Sequence, residues 1–462
     1  MRQPLTRELT DLLERGRDRQ LRLAVTGLSR SGKTAFLTSL VHQLRHAGLA
    51  ARLDLLPAAR EGRLLGARRV EQQDLGVPRF PYDRAMAALD DSPPRWPEPT
   101  RGISELRLVI RYRPRRPGWV GGDTRRLTLD LFDYPGEWLL DLPLLGHDFA
   151  SWSRAQVLDR GERATLFADW RQAVAGLDPA ETVEEGRLAE IAERYAEGLR
   201  AAREAGFADL QPGRFLLPGE LEGAPVLQFF PLPGLERVDQ ARLAGLPPES
   251  LYATLARRFR HYQQHIVKPF YREHFRRFDR QIVLVDVLGA LDAGPERFED
   301  LSRALSRLMQ SFDYGRRSLL SRLFAPRIER LAIAATKADH VTPEQHEPLT
   351  GLLEALLAEP LQDLRFADVP VRALSLASIR ATEAREVDHQ GRRQPVLRGT
   401  TLDGETTLLF PGEVPARLPD ADFWTRQGFE FPAFRPLPRD GDTLPHIRLD
   451  VALDWLIGDK LT

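Results

Sequence analysis

The stretch Leu21–Leu40, LRLAVTGLSRSGKTAFLTSL, limits the available folds more than any other part of this chain. An apolar run (Leu21, Leu23, Ala24, Val25) enters Gly27-Leu28-Ser29-Arg30-Ser31-Gly32-Lys33-Thr34, which fits G-x-x-x-x-G-K-S/T at every fixed position. Glycines there let successive backbone N–H groups turn into one hollow at a helix N-terminus, and such a hollow holds phosphate. The expected phosphate-contacting residues are therefore Ser29, Arg30, Ser31, Gly32, Lys33, Thr34 and Ala35. Lys33 reaches the β- and γ-phosphates and the Thr34 hydroxyl ligates Mg²⁺. Apolar residues at Phe36, Leu37, Leu40, Val41 and Leu44 give the following segment a helical period. Lysine occurs only at Lys33, Lys268, Lys337 and Lys460, arginine serving as the cation everywhere else. A retained lysine marks a place for a compact ammonium that a guanidinium cannot replace.

Beyond this loop the chain alternates strands and helices, which predicts an α/β fold with a mainly parallel sheet. The segments 103–113 and 125–138 read as two strands of an antiparallel hairpin. The second ends in Asp133-Tyr134-Pro135-Gly136, a D-x-x-G match that places Asp133 for Mg²⁺ and the Gly136 N–H for a γ-phosphate. QIVLVDVLGA (281–290) and 328–335 read as strands buried on both faces, the latter ending in Thr336-Lys337-Ala338-Asp339. Asp286, inside the first of these, reads as a paired structural carboxylate rather than a catalytic one. A further strand, 369–377, runs into Ser378.

Residues 50–99, broken by prolines, read as an insertion or extended loop, and 143–278 as a helical insertion, either a lid or partner-binding subdomain or plain structural elaboration. The divisions expected are an N-terminal helix (1–20), a first part of the nucleotide domain (21–142), the helical insertion (143–278), a second part (279–382), and a C-terminal β-rich region with a closing helix (383–462). Zero formal net charge argues against a dominant nucleic-acid-binding or anionic-membrane surface. The absence of cysteine excludes disulfides, zinc ribbons and thiol catalysis, and no apolar run is long enough to span a bilayer. A cytoplasmic protein is expected. Arg111, Arg113, Arg115, Arg116, Arg125 and Arg126 flank the hairpin turn beside Trp119 and Val120. They read as solvated charge, or as a basic tip for anionic lipid or an acidic partner.

The order of motifs resembles the Ras-like GTPase domain, and more closely the YcjX family of bacterial stress-associated proteins. GLSRSGKTAFLTSL, WPEPTRGISELRL, DYPGEWLLDLPLL, QIVLVDVLGALDAGPERF and TKADHV carry the resemblance, which spans most of the chain. It implies an α/β Ras-like phosphate-loop core with a mixed, mainly parallel sheet, a helical insertion and a small C-terminal α+β region. It also implies GTP and GDP as ligands with Mg²⁺, a role in stress response, and an inner-membrane protein partner, with the chain cytoplasmic or peripheral to that membrane. Asp339 is expected to accept from the guanine N1–H and amine, Lys337 to lie along the base, Thr336 to tether the loop, and Ala377 and Ser378 to contact the base. Thr100 takes the place of a switch threonine that joins Thr34 and Asp133 around Mg²⁺, its bland alternative being a strand cap. Lys33, Thr100, Gly136 and Glu137 make the expected catalytic set.

Two departures bear on catalysis. Glu137 stands where Ras-like GTPases usually place a water-orienting glutamine. Pro97 stands where α subunits of G proteins carry a catalytic arginine, with Arg95 and Arg101 nearby. Without a supplied arginine, hydrolysis is expected to be slow. The competing expectation is a scaffold that binds GDP or GTP without useful turnover, and an ATPase is a third, disfavoured by Asp339.

Overall fold

Leu21, Leu23 and Val25 alternate with Arg22, Ala24 and Thr26, and the segment forms β1 (Arg19–Gly27), the middle strand of a seven-stranded sheet. The structure is a computed structural model describing residues 19–48, 52–100, 102–115, 123–156, 158, 160–313, 328–362, 369–389, 391–420, 422–426, 431–439 and 441–462. The sheet also contains β2 (Leu64–Val70), β3 (Ser104–Tyr112), β4 (Arg125–Asp133), β5 (Arg280–Val285), β6 (Arg330–Ala335) and β7 (Val371–Ser375), in the order β2-β3-β4-β1-β5-β6-β7. Strands β4, β1, β5, β6 and β7 run parallel, and β3 is antiparallel to β4 as the hairpin reading required.

Strand β2 corrects the reading of 50–99 as an extended loop: it pairs antiparallel with β3 at the sheet's edge. Its register shifts between Leu64 and Gly66, which adopts φ 120°, and the bulge erases the period-two signal in the sequence. Of the expected helix over 1–20, residues 1–18 lie outside the described residues, and Arg19 and Gln20 already belong to β1.

Alternation along the strands sends side chains to two cores. On one face, Leu23, Val25, Ile282, Leu284, Ala332 and Ala334 pack with α1 (Lys33–His46) and with the last helix of the chain. On the other, Val283, Val285, Leu331 and Ile333 pack beneath an aromatic-rich helical layer. After the short α2 (Tyr82–Asp90), the long helices of that layer are α3 (Glu185–Glu204), α4 (Leu251–Tyr262), α5 (Pro295–Asp313) and α6 (His346–Leu357). Trp152 stacks on Phe259 at 5.1 Å, and Phe229 meets both edge-on. The run from α4 continues past Pro269, which has no N–H to give the helix. A π-helical stretch, Gln263–Val267, takes up the mismatch, the Lys268 N–H bonding the Gln263 carbonyl.

The C-terminal quarter holds a small antiparallel sheet of β8 (Thr382–His389), β9 (Arg392–Thr400) and β10 (Thr406–Leu409). The chain then returns across the first third of the molecule. Trp96 Nε1 donates to the Phe434 carbonyl at 2.7 Å, Arg439 pairs with Asp90 at 2.7 Å, and Gln43 donates to the Leu444 carbonyl at 2.7 Å. Helix α7 (Leu449–Ile457) closes the first core with Leu449, Leu453 and Leu456, each fully buried and each contributing about 1.5–3 kcal/mol. At the helix ends, Asp450 accepts from the Leu55 N–H at 2.9 Å, and Arg63 donates to the Leu461 carbonyl at 2.5 Å. No helix among the described residues is long and apolar enough to cross a membrane. At the hairpin, Arg115 pairs with Glu61 at 2.7 Å, while Arg116, Trp119 and Val120 lie outside the described residues.

Candidate functional site

Register puts the motifs on one edge. Val25 of β1 lies level with Asp133, the last residue of β4, and Ser104 at the start of β3 lies level with that same aspartate. Ala335, at the end of β6, is level with Val285 and Ser375. Every loop of interest therefore leaves the sheet at the C-terminal end of its parallel strands, where α/β sheets bind ligands.

The loop after β1 turns through left-handed residues at Arg30 (φ 62°) and Gly32 (φ 81°) before α1 begins at Lys33. Lys33 Nζ donates to the Gly27 carbonyl at 2.6 Å, lying across the hollow. Ser31 is buried with its hydroxyl unpartnered. Thr100 is brought from the approach to β3 until its Oγ1 lies 3.4 Å from Thr34 Oγ1. Asp133 is 1% exposed and neither carboxylate oxygen has a hydrogen-bond partner. Burial pushes its carboxyl above the ordinary carboxylate range, against the opposing pull of the Lys33 ammonium and of the Thr100 hydroxyl, which lies near it without reaching hydrogen-bond geometry.

Mg²⁺ takes oxygen donors, is held through one or two carboxylates, and fills the rest of its shell with other oxygens, from water and phosphate above all. Two threonine hydroxyls and an orphaned buried carboxylate fit that requirement, so the residues suit the ion the sequence implied. No cluster of three acidic or histidine residues competes for it among the described residues.

Gly136 opens a 3₁₀ turn (Gly136–Trp138) that packs on the phosphate loop. A Cβ at Gly136 would sit 2.5 Å from the Gly27 carbonyl oxygen and 3.1 Å from the Leu28 nitrogen, so only glycine fits. Glu137, next in line, is buried with both oxygens unbonded; its ion partner is Arg203, 3.5 Å from Oε1. Beyond the turn, the buried Asp141 accepts from the Tyr262 hydroxyl at 2.5 Å and the Gly213 N–H at 2.8 Å. Burial raises its carboxyl to about 6 despite those bonds.

At the other end of the edge, Thr336 hydrogen-bonds the Val285 carbonyl through its N–H at 2.9 Å and through its hydroxyl at 3.3 Å. Lys337 is left-handed (φ 59°) and its ammonium pairs with Asp286. Asp286 in turn caps the short helix Val287–Asp292 by accepting from the Gly289 N–H at 3.0 Å, the structural pairing expected for it. Asp339 is buried, and its Oδ2 accepts from the Ala381 N–H at 2.6 Å. Thr382 donates to the Asp339 carbonyl. Ala377 is engaged elsewhere, exchanging two backbone hydrogen bonds (3.0 and 2.8 Å) with Ile447, and Ser378 is buried beside it.

A model of the YcjX-like family, DUF463, matches residues 21–461. The chain belongs to the YcjX-like family. It is 50% identical over 461 residues to the Ras-like GTPase YcjX of Escherichia coli (strain K12), covering 99% of each chain. It is 43% identical over 476 residues to the Ras-like GTPase YcjX of Shewanella oneidensis (strain MR-1), covering 99% of this chain and 98% of that one. The α/β fold with its seven-stranded mixed sheet agrees with those names.

In this member of the YcjX-like family, three site features lay beyond sequence reasoning. Ala381 and Thr382 meet Asp339, while Ala377 is held by its bridge to Ile447. The Lys337–Asp286 pair joins residues on different strands' loops; its only sequence signal was a carboxylate inside an apolar run. Arg203 gave no signal, being one charge among many on an amphipathic helix.

Proposed function

We propose that this protein is a guanine-nucleotide switch that hydrolyses GTP slowly to GDP and phosphate in the presence of Mg²⁺. One observation carries the reading: the Thr34 and Thr100 hydroxyls lie 3.4 Å apart beside the orphaned carboxylate of Asp133, at the mouth of a phosphate loop. Loop amides and Lys33 hold the β- and γ-phosphates; Thr34, Thr100 and Asp133 hold Mg²⁺, which neutralises charge on those oxygens. Thr100 and the Gly136 N–H couple the γ-phosphate to the order of their loops, as a switch requires. Asp339, steadied by Ala381, accepts from the guanine N1–H and amine, and Lys337 and Thr336 fix the loop that presents it. Ser378 borders the base pocket. The names of the relatives support guanine nucleotide as the ligand. Family resemblance extends the reading to bacterial stress response and to a cytoplasmic protein that meets an inner-membrane partner; the helical periodicity of residues 143–278 supports a partner-binding or lid region there.

Calorimetric titration with GDP, GTPγS, ADP and ATPγS in Mg²⁺, on wild type and Asp339→Asn, tests the reading. Guanine-only binding, shifted toward xanthine nucleotides in the variant, is expected. Equal binding of adenine nucleotides would remove Asp339 from the base site. Glu137 favours a second reading, a nucleotide-stabilised scaffold without turnover, since a buried carboxylate occupies the water-orienting position. Phosphate release from wild type but not Lys33→Ala separates the two.

A further inference from the structure

Pro97 stands where an arginine for the transferring phosphate is expected, Arg95 is bound to Asp91 at 2.8 Å, and Arg101 lies outside the described residues. The fold supplies one from 66 residues beyond Glu137, on the helical layer. Helix α3 ends against the phosphate loop because Gly206 takes φ 90°, with the Phe207 N–H returning to the Ala202 carbonyl (3.0 Å) and the Gly206 N–H to Arg203 (3.1 Å). Arg297 donates to the Ala205 carbonyl at 2.7 Å, and its guanidinium lies 3.6 Å from the centre of the Phe207 ring. The Asp300 carboxylate takes the N–H groups of Ala208 (2.6 Å) and Asp209 (3.0 Å). The helix end is thus fixed in place. From it, Arg203 Nε lies 3.2 Å from Ser29 Oγ in the phosphate loop and 3.5 Å from Glu137 Oε1. Reciprocally, Arg30 of the loop caps the helix end by donating to the Glu204 carbonyl at 3.2 Å.

We propose that Arg203 is the arginine this chain delivers in cis to the γ-phosphate. The inference rests on the GTPase reading above and deepens it. Ser29 lies on the phosphate-facing loop, and Glu137 follows the γ-phosphate-sensing glycine. A group touching both therefore stands over the γ-phosphate side of the hollow. Arg203 is one-third exposed, and its contacts with Ser29 and Glu137 are made through Nε, which leaves the Nη groups as donors for phosphate oxygens. Glu137 holds the fork in place until phosphate arrives, which accounts for a carboxylate where a glutamine is usual. In the reaction, water oxygen bonds to the γ-phosphorus as the bond to the β–γ bridging oxygen breaks. The electron pair leaves with GDP, one water proton stays on the released phosphate, and the other passes to solvent. Arg203 neutralises charge that builds on the bridging and γ oxygens during that exchange.

The test compares wild type, Arg203→Ala and Arg203→Lys in three measurements: GDP and GTPγS affinity, single-turnover hydrolysis, and tightening of fluorescent GDP by aluminium fluoride, a transition-state mimic that needs no turnover. The expected result is affinity within about twofold of wild type, hydrolysis slowed about 10³-fold or more, and no tightening by aluminium fluoride. Arg203→Lys keeps the charge beside Glu137 without the fork, so it is expected to keep the wild-type melting temperature and still lose the tightening; it decides the matter if the alanine variant does not fold. Alanine and lysine variants that hydrolyse and tighten like wild type overturn the proposal. So does a fall in nucleotide affinity as large as the fall in rate, which assigns Arg203 to holding the loop. Wild type that binds guanine nucleotides without hydrolysis or tightening overturns it while sparing the binding reading. Wild type that binds none overturns both.

Discussion

Replacing Asp133 by asparagine keeps the shape of a buried side chain and removes its charge. The carboxylate is 1% exposed and accepts no hydrogen bond, so the nucleotide-free protein carries the cost of an ionised group out of water. Lys33 offsets part of that, leaving about 1–3 kcal/mol to be recovered by the neutral side chain. Unfolding entropy near 2.1 cal/mol/K per residue, over 462 residues, gives about 1 kcal/mol per degree, so Asp133→Asn should melt about 1–3 °C higher without ligand. Removing a carboxylate from a metal site costs about 10–100-fold in affinity, or about 1.4–2.7 kcal/mol, and the extra stability conferred by Mg²⁺·GTP should shrink by about as many degrees. Scanning calorimetry at pH 8, with and without nucleotide, in Mg²⁺ or in EDTA, reads both effects. A variant that melts lower without ligand and keeps the whole Mg²⁺-dependent increment would show that Asp133 is a structural carboxylate, and the metal assignment would be refuted.

Gly136→Ala forces a methyl against the Gly27 carbonyl and the Leu28 nitrogen, both backbone, and should lower stability by about 1–3 kcal/mol in urea; an unchanged midpoint would show that the turn does not pack on the loop. Asp141 has its carboxyl raised in the fold to about 6 from 3.8, so the folded state binds the extra proton. That stabilisation, about 3 kcal/mol, is complete below pH ~4 and lost as pH rises through ~6. The stability difference between wild type and Asp141→Asn should therefore move in the variant's favour across that window, and a difference that ignores pH would contradict it. Asp286→Asn leaves Lys337 without its carboxylate partner in a half-exposed pair; guanine-nucleotide affinity should fall about fivefold, roughly 1 kcal/mol, by titration, and unaltered affinity would show that Lys337 holds its place without Asp286.

What could be read from residues alone followed the strength of local signals. The phosphate loop, the hairpin and the buried strands declare themselves through fixed spacing, alternation and unbroken apolar runs, and β1, β3, β6 and β7 lie where those signals put them. The strands read over 125–138 and 281–290 stop at Asp133 and Val285, the second giving way to the helix Val287–Asp292. Strand β2 escaped because Gly66 and the adjoining bulge interrupt the alternation, and because an edge strand with two arginines looks like a polar loop. The surroundings of Asp339 were not legible: nothing in Leu376–Thr382 announces that Ile447, 70 positions later, will hold Ala377, or that Ala381 will meet Asp339. Arg203 is the extreme case, since its meaning comes only from the glycine-terminated helix that carries it to Ser29, 174 residues back.

The long return of the chain has a consequence during synthesis. Gln43 bonds Leu444, Leu55 bonds Asp450 and Arg63 bonds Leu461, so the layer over the phosphate-loop helix is sealed by residues about 400 positions downstream. At about 5–20 residues per second, a ribosome takes roughly 20–80 s to cover that distance. Until α7 is made, Leu23 and Val25, joined part-way by Ile282 and Leu284, belong to a core that α7 has yet to complete. The nascent protein has its phosphate loop early and its finished nucleotide domain last, with an open apolar sheet face to be kept from other chains in between.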